Sequence, residues 1–133
     1  MIKVASDFSV PHNYFFQILQ SYERASREME KITGEKVSSA LWGHMGDQHL
    51  HWNALPTDES SYDKAMDLYR DLAQQVLVRG GTLSAEHGMG KKQIFEGEPL
   101  LKTQFAEGFD YAKYLIQKVN PGQLLNRGNI IGV

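Results

Sequence analysis

Hydrophobic residues recur along the chain at two spacings, one typical of strands and one typical of helices. Loose alternation over residues 2–8 predicts a first strand. The spacing of the next segment predicts a helix that begins at Pro11 and ends at Gly34. The positions that carry it are Phe15, Ile18, Leu19, Tyr22, Ala25, Met29 and Ile32. Residues 37–44 and 49–55 predict two further strands, joined by a hairpin loop at residues 45–48.

A second helix and a fourth strand complete the predicted pattern. Capping residues at 57–61 precede an amphipathic stretch that ends at Gly80-Gly81. Residues 82–85 predict a short fourth strand, and a last helix is predicted over residues 101–119. The order β-α-β-β-α-β predicts an α+β, ferredoxin-like fold in one domain over residues 1–133. It would have an antiparallel sheet, helices on one face and a C-terminal helix.

Composition narrows the classes of partner and site. The chain has 133 residues with 14 Lys plus Arg against 16 Asp plus Glu, a net charge of −2. No basic cluster is long enough to indicate nucleic-acid binding. The absence of cysteine excludes disulfides and thiolate metal sites. No apolar run approaches the roughly 20 residues of a membrane span, and the first ten residues lack the apolar core of a signal peptide. We therefore expect a soluble, cytoplasmic protein.

Three of the five histidines lie within eight positions, where they can form a site. Because alternate residues of a strand share a face, His49, His51 and Asn53 point one way, away from the helices. If residues 45–48 form the hairpin loop, His44 lies opposite His49 and diagonal to His51, about 7–8 Å away. Two imidazoles at that separation can converge on one metal ion.

A third ligand and a base would come from the end of the predicted fourth strand. Glu86 lies at the end of that strand, directly after residue 85, and His87 follows it. Two histidines and one carboxylate suit Zn, Mn or Fe, and a neutral imidazole beside the ion is a good proton acceptor. On spacing alone, a structural coincidence is an equally good interpretation of the cluster. We expect Trp42 and Trp52 to serve packing, and His12 to be solvated.

Four segments resemble the C-terminal domain family of FAD-linked oxidases. Residues 42–53, WGHMGDQHLHWN, resemble the family's GHxGDGNLHxN, and residues 80–90, GGTLSAEHGMG, resemble its GGxxSxEHGxG. Residues 6–11 are similar to KxDVSVP, and residues 120–126 to the DPxxxLNPGK ending. The four occur in the family's order and span nearly the whole chain. The chain is thus identified as a member of this family.

The resemblance implies a flavin-dependent dehydrogenase of D-2-hydroxy acids, such as D-lactate, glycolate or D-2-hydroxyglutarate. The chain looks like the last part of the substrate domain, and the FAD-binding domain is absent from it. We therefore expect the isolated chain to be inactive. The surface that meets the FAD domain would then be covered by a homodimer contact or by neighbouring molecules. The full enzyme would be cytoplasmic or peripheral to the membrane.

The resemblance also implies roles for single residues. His44 and His51 match two metal-ligand histidines, Glu86 matches the carboxylate ligand, and His87 matches the histidine that takes the hydroxyl proton of the substrate. The family commonly has Gly-Asn at positions 48 and 49, and that asparagine is expected near the substrate. His49 would replace it as a substrate contact, together with Asn53, add a third imidazole to the metal, or change substrate preference.

Two other classes of function compete with this interpretation. One is a non-catalytic ferredoxin-like module that retains the motifs and binds a metal, a small acid or a partner protein. The other is a flavoprotein branch that acts on alcohols or ether lipids. The Glu86-His87 pair and the two-histidine strand argue against that branch, because the resemblance assigns them to the hydroxy-acid dehydrogenases.

Overall fold

A computed structural model describes residues 3–88, 90, 94–95 and 98–125. The predicted start of the first strand at residue 2, and residue 126 of the C-terminal motif, lie outside these residues. Residue contacts divide the chain into two compact units, Met1–His87 and Gly88–Val133. The single domain over residues 1–133 remains a prediction.

The first unit contains an antiparallel sheet with strand β4 (His49–Ala54) at its centre. Strand β3 (Ser39–His44) pairs along one side of β4 through the predicted hairpin. Strands β1 (Val4–Ala5) and β2 (Phe8–Ser9) pair along the other side of β4. They share one register, so they are the two halves of the predicted first strand.

The break between β1 and β2 lies at Ser6. Its main-chain N–H still donates to Trp52 O at 2.9 Å. Its carbonyl oxygen, however, lies 2.9 Å from His51 Nδ1, and its hydroxyl oxygen accepts the Trp52 main-chain N–H at 2.8 Å. The Ser6 hydroxyl thus replaces the Ser6 carbonyl oxygen as the acceptor in the sheet ladder. The Ser6 carbonyl oxygen is then free to accept a hydrogen bond from His51.

Two long helices begin and end at residues that satisfy their free backbone groups. Helix α1 (Phe15–Thr33) follows a short 3-10 helix and ends at Gly34, whose φ of 73° is left-handed, as predicted. Helix α2 (Glu59–Leu77) begins with a capping box, in which Asp58 accepts the Ser61 main-chain N–H and the Ser61 hydroxyl oxygen accepts the Asp58 N–H.

Both helices pack on the same face of the sheet. The Phe8 and Tyr69 rings lie 5.1 Å apart, and the Tyr22 hydroxyl donates to Leu50 O at 3.1 Å. Trp52 is fully buried between sheet and helices and donates its indole N–H to Ser26 Oγ. The predicted α+β fold, with an antiparallel sheet and several helices, is confirmed.

Two predicted elements differ in the structure. The fourth strand at residues 82–85 is reduced to an antiparallel bridge between Ser9 and Thr82. The prediction of a single last helix is wrong. Ala106 has a φ of 45°, which interrupts the helix and divides it into α3 (Leu100–Phe105) and α4 (Gly108–Val119). These helices belong to the second unit.

The second unit also contains a two-stranded sheet that the pattern did not predict. Its strands are β5 (Ile94–Phe95) and β6 (Glu98–Pro99), which pair antiparallel. Across the described part of both units, no helix combines the length and the apolar character needed to cross a membrane.

Candidate metal and substrate site

The face of the sheet that lies away from the helices carries the predicted histidines. His44 pairs with His49 across the hairpin, as the loop at residues 45–48 predicted. His49, His51 and Asn53 of β4 do not face solvent, however, because they are only 6%, 2% and 6% exposed. Part of the cover is Trp42, whose ring centroid lies 4.4 Å from that of His51 while half of its own surface is exposed.

The Glu86 carboxylate meets three imidazoles at this face. Oε1 lies 2.7 Å from His87 Nε2 and 3.2 Å from His51 Nε2, and Oε2 lies 3.7 Å from His44 Nε2. We call these four residues the histidine–glutamate cluster. The structure thus brings the two hairpin histidines together with the Glu86-His87 pair, which lies 35 or more positions further along the chain.

The hydrogen bonds of His51 determine which of its nitrogens faces the cluster. A carbonyl oxygen only accepts, so Nδ1 donates its hydrogen to Ser6 O at 2.9 Å. In the neutral ring, Nε2 then carries a lone pair that points at Glu86 Oε1, which is also an acceptor. A cation between these atoms, a proton or a metal ion, removes the repulsion. The donor set of two imidazoles and one carboxylate fits a divalent metal such as Zn.

Asp7 is a site residue that sequence reasoning missed. It is buried, and its Oδ1 lies 3.0 Å from His49 Nε2. Its Oδ2 accepts the main-chain N–H groups of Glu86 and His87 at 3.1 and 2.8 Å. The signal was present in the segment similar to KxDVSVP, where Asp7 matches the aspartate.

Asp7, His49, His51 and Glu86 each offer a ligand atom, and these four atoms lie within 4.8 Å of one another. Proximity alone would therefore include Asp7 and His49 among the metal ligands. The Asp7 oxygens are already bonded to two main-chain amides and an imidazole, which makes this carboxylate a support for the site. The Glu86 carboxylate is 39% exposed and faces the open side of the site, between His44, His51 and His87.

A polar cleft of about 510 Å³ opens beside the cluster. It is lined by Ser9, His44, Asp47, His49, Thr82, Ser84, Ala85 and Glu86. Close to the same face, Asn53 Oδ1 is buried and meets no hydrogen-bond donor within the part of the chain that the structure describes. A buried acceptor of this kind needs a partner, which a bound ligand or an ordered water can supply.

The chain is similar in sequence to known proteins over almost its whole length. Residues 1–130 match the family model described as FAD linked oxidases, C-terminal domain. A D-lactate dehydrogenase of Archaeoglobus fulgidus is 28% identical over 115 residues, which are 85% of this chain and 24% of the relative. A D-2-hydroxyglutarate dehydrogenase of Xanthomonas citri pv. viticola is 35% identical over 95 residues, or 68% of this chain and 20% of the relative.

A third relative is the glycolate oxidase subunit GlcD of Bacillus subtilis, 29% identical over 97 residues that make up 71% of this chain and 20% of the subunit. The chain therefore spans about a fifth to a quarter of the length of these relatives. The family match covers almost every residue of the chain. This protein belongs to the family of FAD linked oxidases, C-terminal domain.

Proposed function

We propose that this chain is the substrate- and metal-binding portion of an FAD-dependent dehydrogenase that oxidises a D-2-hydroxy acid to a 2-oxo acid. The observation that carries the proposal is the histidine–glutamate cluster, in which the Glu86 carboxylate faces the imidazoles of His44, His51 and His87. The relatives named as dehydrogenases or an oxidase of D-lactate, D-2-hydroxyglutarate and glycolate support the substrate class.

The metal ligands would be His44, His51 and Glu86. Zn is the first choice, with Mn and Fe as alternatives, because imidazole and carboxylate donors suit all three. When bound, such an ion supplies a positive charge that holds the substrate's carboxylate and hydroxyl oxygens and polarises the hydroxyl group. His51 is anchored through its Nδ1, whereas the His44 side chain is 58% exposed, so the site has one fixed and one accessible imidazole.

His87 would accept the proton of the substrate's hydroxyl group. Its side chain is 63% exposed, and its Nε2 lies 2.7 Å from Glu86 Oε1, which can only accept. In the neutral ring, Nε2 therefore carries the hydrogen and Nδ1 would be the proton acceptor. His49 and Asn53 would contact the substrate from the sheet. The hydroxyl proton goes to His87, the hydride leaves C2, and a C=O bond forms in the 2-oxo acid. FAD, held by a separate domain, supplies the acceptor for that hydride.

Metal content of the purified chain tests the ligand assignment. We expect about one Zn, Mn or Fe per chain by elemental mass spectrometry, lost in both His44→Ala and Glu86→Ala. His12→Ala is the matched control, because His12 is exposed in the short 3-10 helix and should leave metal content unchanged. No metal in the wild-type chain after incubation with excess Zn would contradict the assignment.

Adding the FAD-binding domain separates an enzyme part from a binding module. With that domain supplied, as a separate protein or within a longer chain, we expect a D-2-hydroxy acid to bleach the flavin absorbance. His87→Ala should abolish this reduction while metal content stays at the wild-type level. Metal binding without any flavin reduction by D-lactate, glycolate or D-2-hydroxyglutarate would favour the non-catalytic module instead.

A further inference from the structure

We propose that Asp7 is a positioning residue, which holds the Glu86-His87 backbone in place and selects the hydrogen-bonding nitrogen of His49. The proposal deepens the proposed function, since the cluster that Asp7 holds is the one assigned to metal and proton transfer. Its contacts can nevertheless be tested in the metal-free chain.

Asp7 binds three consecutive main-chain amides. Its own carbonyl oxygen accepts the N–H of Ala85 at 3.0 Å. Its carboxylate Oδ2 then accepts the N–H groups of Glu86 and His87, at 3.1 and 2.8 Å. One buried residue of the first strand pair therefore fixes the direction of the chain at the two residues that complete the cluster.

We call the hydrogen bonds that Asp7 accepts from these three amides the backbone clamp. The clamp matters because regular secondary structure ends before the histidine–glutamate cluster. The Ser9–Thr82 bridge is the last ladder pairing between the sheet and residues 82–88, and residues 85–87 form a bend without strand structure. The Glu86 and His87 side chains are 39% and 63% exposed, so burial does little to restrain them. Their approach to His44 and His51 depends on where the backbone lies, and Asp7 determines that.

The second carboxylate oxygen determines the hydrogen position on His49. Oδ1 can only accept, so His49 Nε2 donates to it across 3.0 Å, with both side chains almost fully buried. In the neutral ring, Nδ1 then carries the lone pair. A histidine oriented by a carboxylate in this way is typical of metal centres, where the pairing fixes both the tautomer and the ring.

Asparagine at position 7 separates the two contacts. An amide oxygen placed at the Oδ2 position still accepts both main-chain N–H groups. The amide NH₂ then occupies the Oδ1 position and can only donate, so His49 Nε2 must become the acceptor. Asp7→Asn therefore keeps both bonds at the Oδ2 position, loses only the longer 3.3 Å bond from the Glu86 N–H to Oδ1, and reverses the His49 tautomer. Asp7→Ala removes every contact of the carboxylate and keeps only the bond from the Ala85 N–H to the main-chain carbonyl.

Hydrogen exchange and histidine NMR of the metal-free chain test both parts. We expect the Glu86 and His87 amides to exchange at least about tenfold faster in Asp7→Ala than in the wild type, and at near wild-type rates in Asp7→Asn. Long-range ¹H–¹⁵N spectra should place the His49 hydrogen on Nε2 in the wild type and on Nδ1 in Asp7→Asn. Asp63→Ala, an exposed aspartate of α2, is the control.

Zinc affinity, measured by competition with a chromophoric chelator, tests the consequence for the cluster. We expect Asp7→Ala to weaken Zn binding by about 10–100-fold. Asp7→Asn should change it by less than about threefold, since the clamp remains. Rescue by asparagine distinguishes positioning from charge, because a purely electrostatic role would be lost in both variants.

Each outcome supports or overturns the proposal. Unchanged amide exchange in a folded Asp7→Ala, or equal damage in Asp7→Asn and Asp7→Ala, would overturn the clamp. If Asp7→Ala does not fold, an unchanged His49 tautomer in Asp7→Asn would overturn the proposal, and a reversed one would support it. If the wild-type chain binds no Zn, the proposed metal function fails, while the exchange and tautomer results still decide the role of Asp7.

Discussion

Replacing Ser6 by alanine should destabilise the first unit, because one hydroxyl group stands in for a carbonyl of the sheet ladder. In the wild type, Ser6 Oγ accepts the main-chain N–H of fully buried Trp52, and the Ser6 carbonyl oxygen is turned toward His51 Nδ1. Alanine removes the hydroxyl. In the variant, the Trp52 main-chain N–H can stay without an acceptor. Alternatively, the carbonyl of residue 6 can rotate to accept that N–H, which leaves His51 Nδ1 without an acceptor.

The expected loss follows from this choice. A buried donor without a partner costs about 1–3 kcal/mol, and both alternatives leave one such donor. The change from serine to alanine removes a single oxygen atom, so little cavity energy is added. We therefore expect the free energy of unfolding to fall by about 2 kcal/mol, a large fraction of the roughly 5–15 kcal/mol typical of a domain.

Urea unfolding followed by tryptophan fluorescence measures this loss, since Trp52 lies in the core and becomes solvated on unfolding. Ser9→Ala is the matched control. Its hydroxyl bonds Asp47 O in an exposed position, so we expect a change within about 0.5 kcal/mol. A Ser6→Ala variant as stable as the control would refute the view that the hydroxyl substitutes for a ladder carbonyl.

Three further predictions concern the loop, a helix cap and a buried phenol. Gln48→Gly should raise the melting temperature slightly in calorimetry. Gln48 has a left-handed φ of 51°, which costs a residue with a side chain about 1 kcal/mol. The greater freedom of glycine in the unfolded chain offsets part of this gain. Hydrogen bonds from Ser61 hold the pKa of Asp58 below its ordinary range. The Asp58 carboxylate therefore stabilises the fold fully at pH values above its pKa in the unfolded chain. This stabilisation is lost as the pH falls through its pKa in the folded chain. Asp58→Asn, which still caps the helix, should flatten the dependence of the melting temperature on pH below about 4, the ordinary pKa of an aspartate. Burial raises the pKa of Tyr22 well above its ordinary value, so stability should fall as pH rises above about 10, where the unfolded phenol ionises. Tyr22→Phe should weaken that alkaline loss in chemical denaturation and cost about 1 kcal/mol at neutral pH through its bond to Leu50 O.

Local patterns predicted the hairpin half of the site correctly. A strand has a period of two, and the loop at residues 45–48 fixes the pairing, so the position of His44 opposite His49 followed from spacing. Burial of this face did not follow. The Trp42 ring covers His51 from the neighbouring strand, and alternation along one strand carries no information about what covers its polar face.

Long-range contacts account for what the sequence did not reveal. The bond between Asp7 and the Glu86 amide joins residues 79 positions apart, and no periodic pattern reports such a contact. Another long-range bond lies where the fourth strand was predicted, since Ala85 N–H donates to Asp7 O in a bend just after the Thr82 bridge. At Ala106 the backbone leaves the helical conformation, but the helical spacing of apolar residues continues past it. Periodicity therefore predicted one helix where there are two.

The distance in sequence between Asp7 and Glu86 also has a consequence for the order of folding. Hairpin β3–β4 closes over a few residues and can form early, which brings His44 and His51 near each other. The clamp requires closure of a loop of nearly the whole first unit, and such contacts form late because their entropy must be offset by the packing of the intervening helices. We expect the cluster to be the last part of this unit to assemble. The proposed metal ion would then bind a nascent chain only after the core has folded.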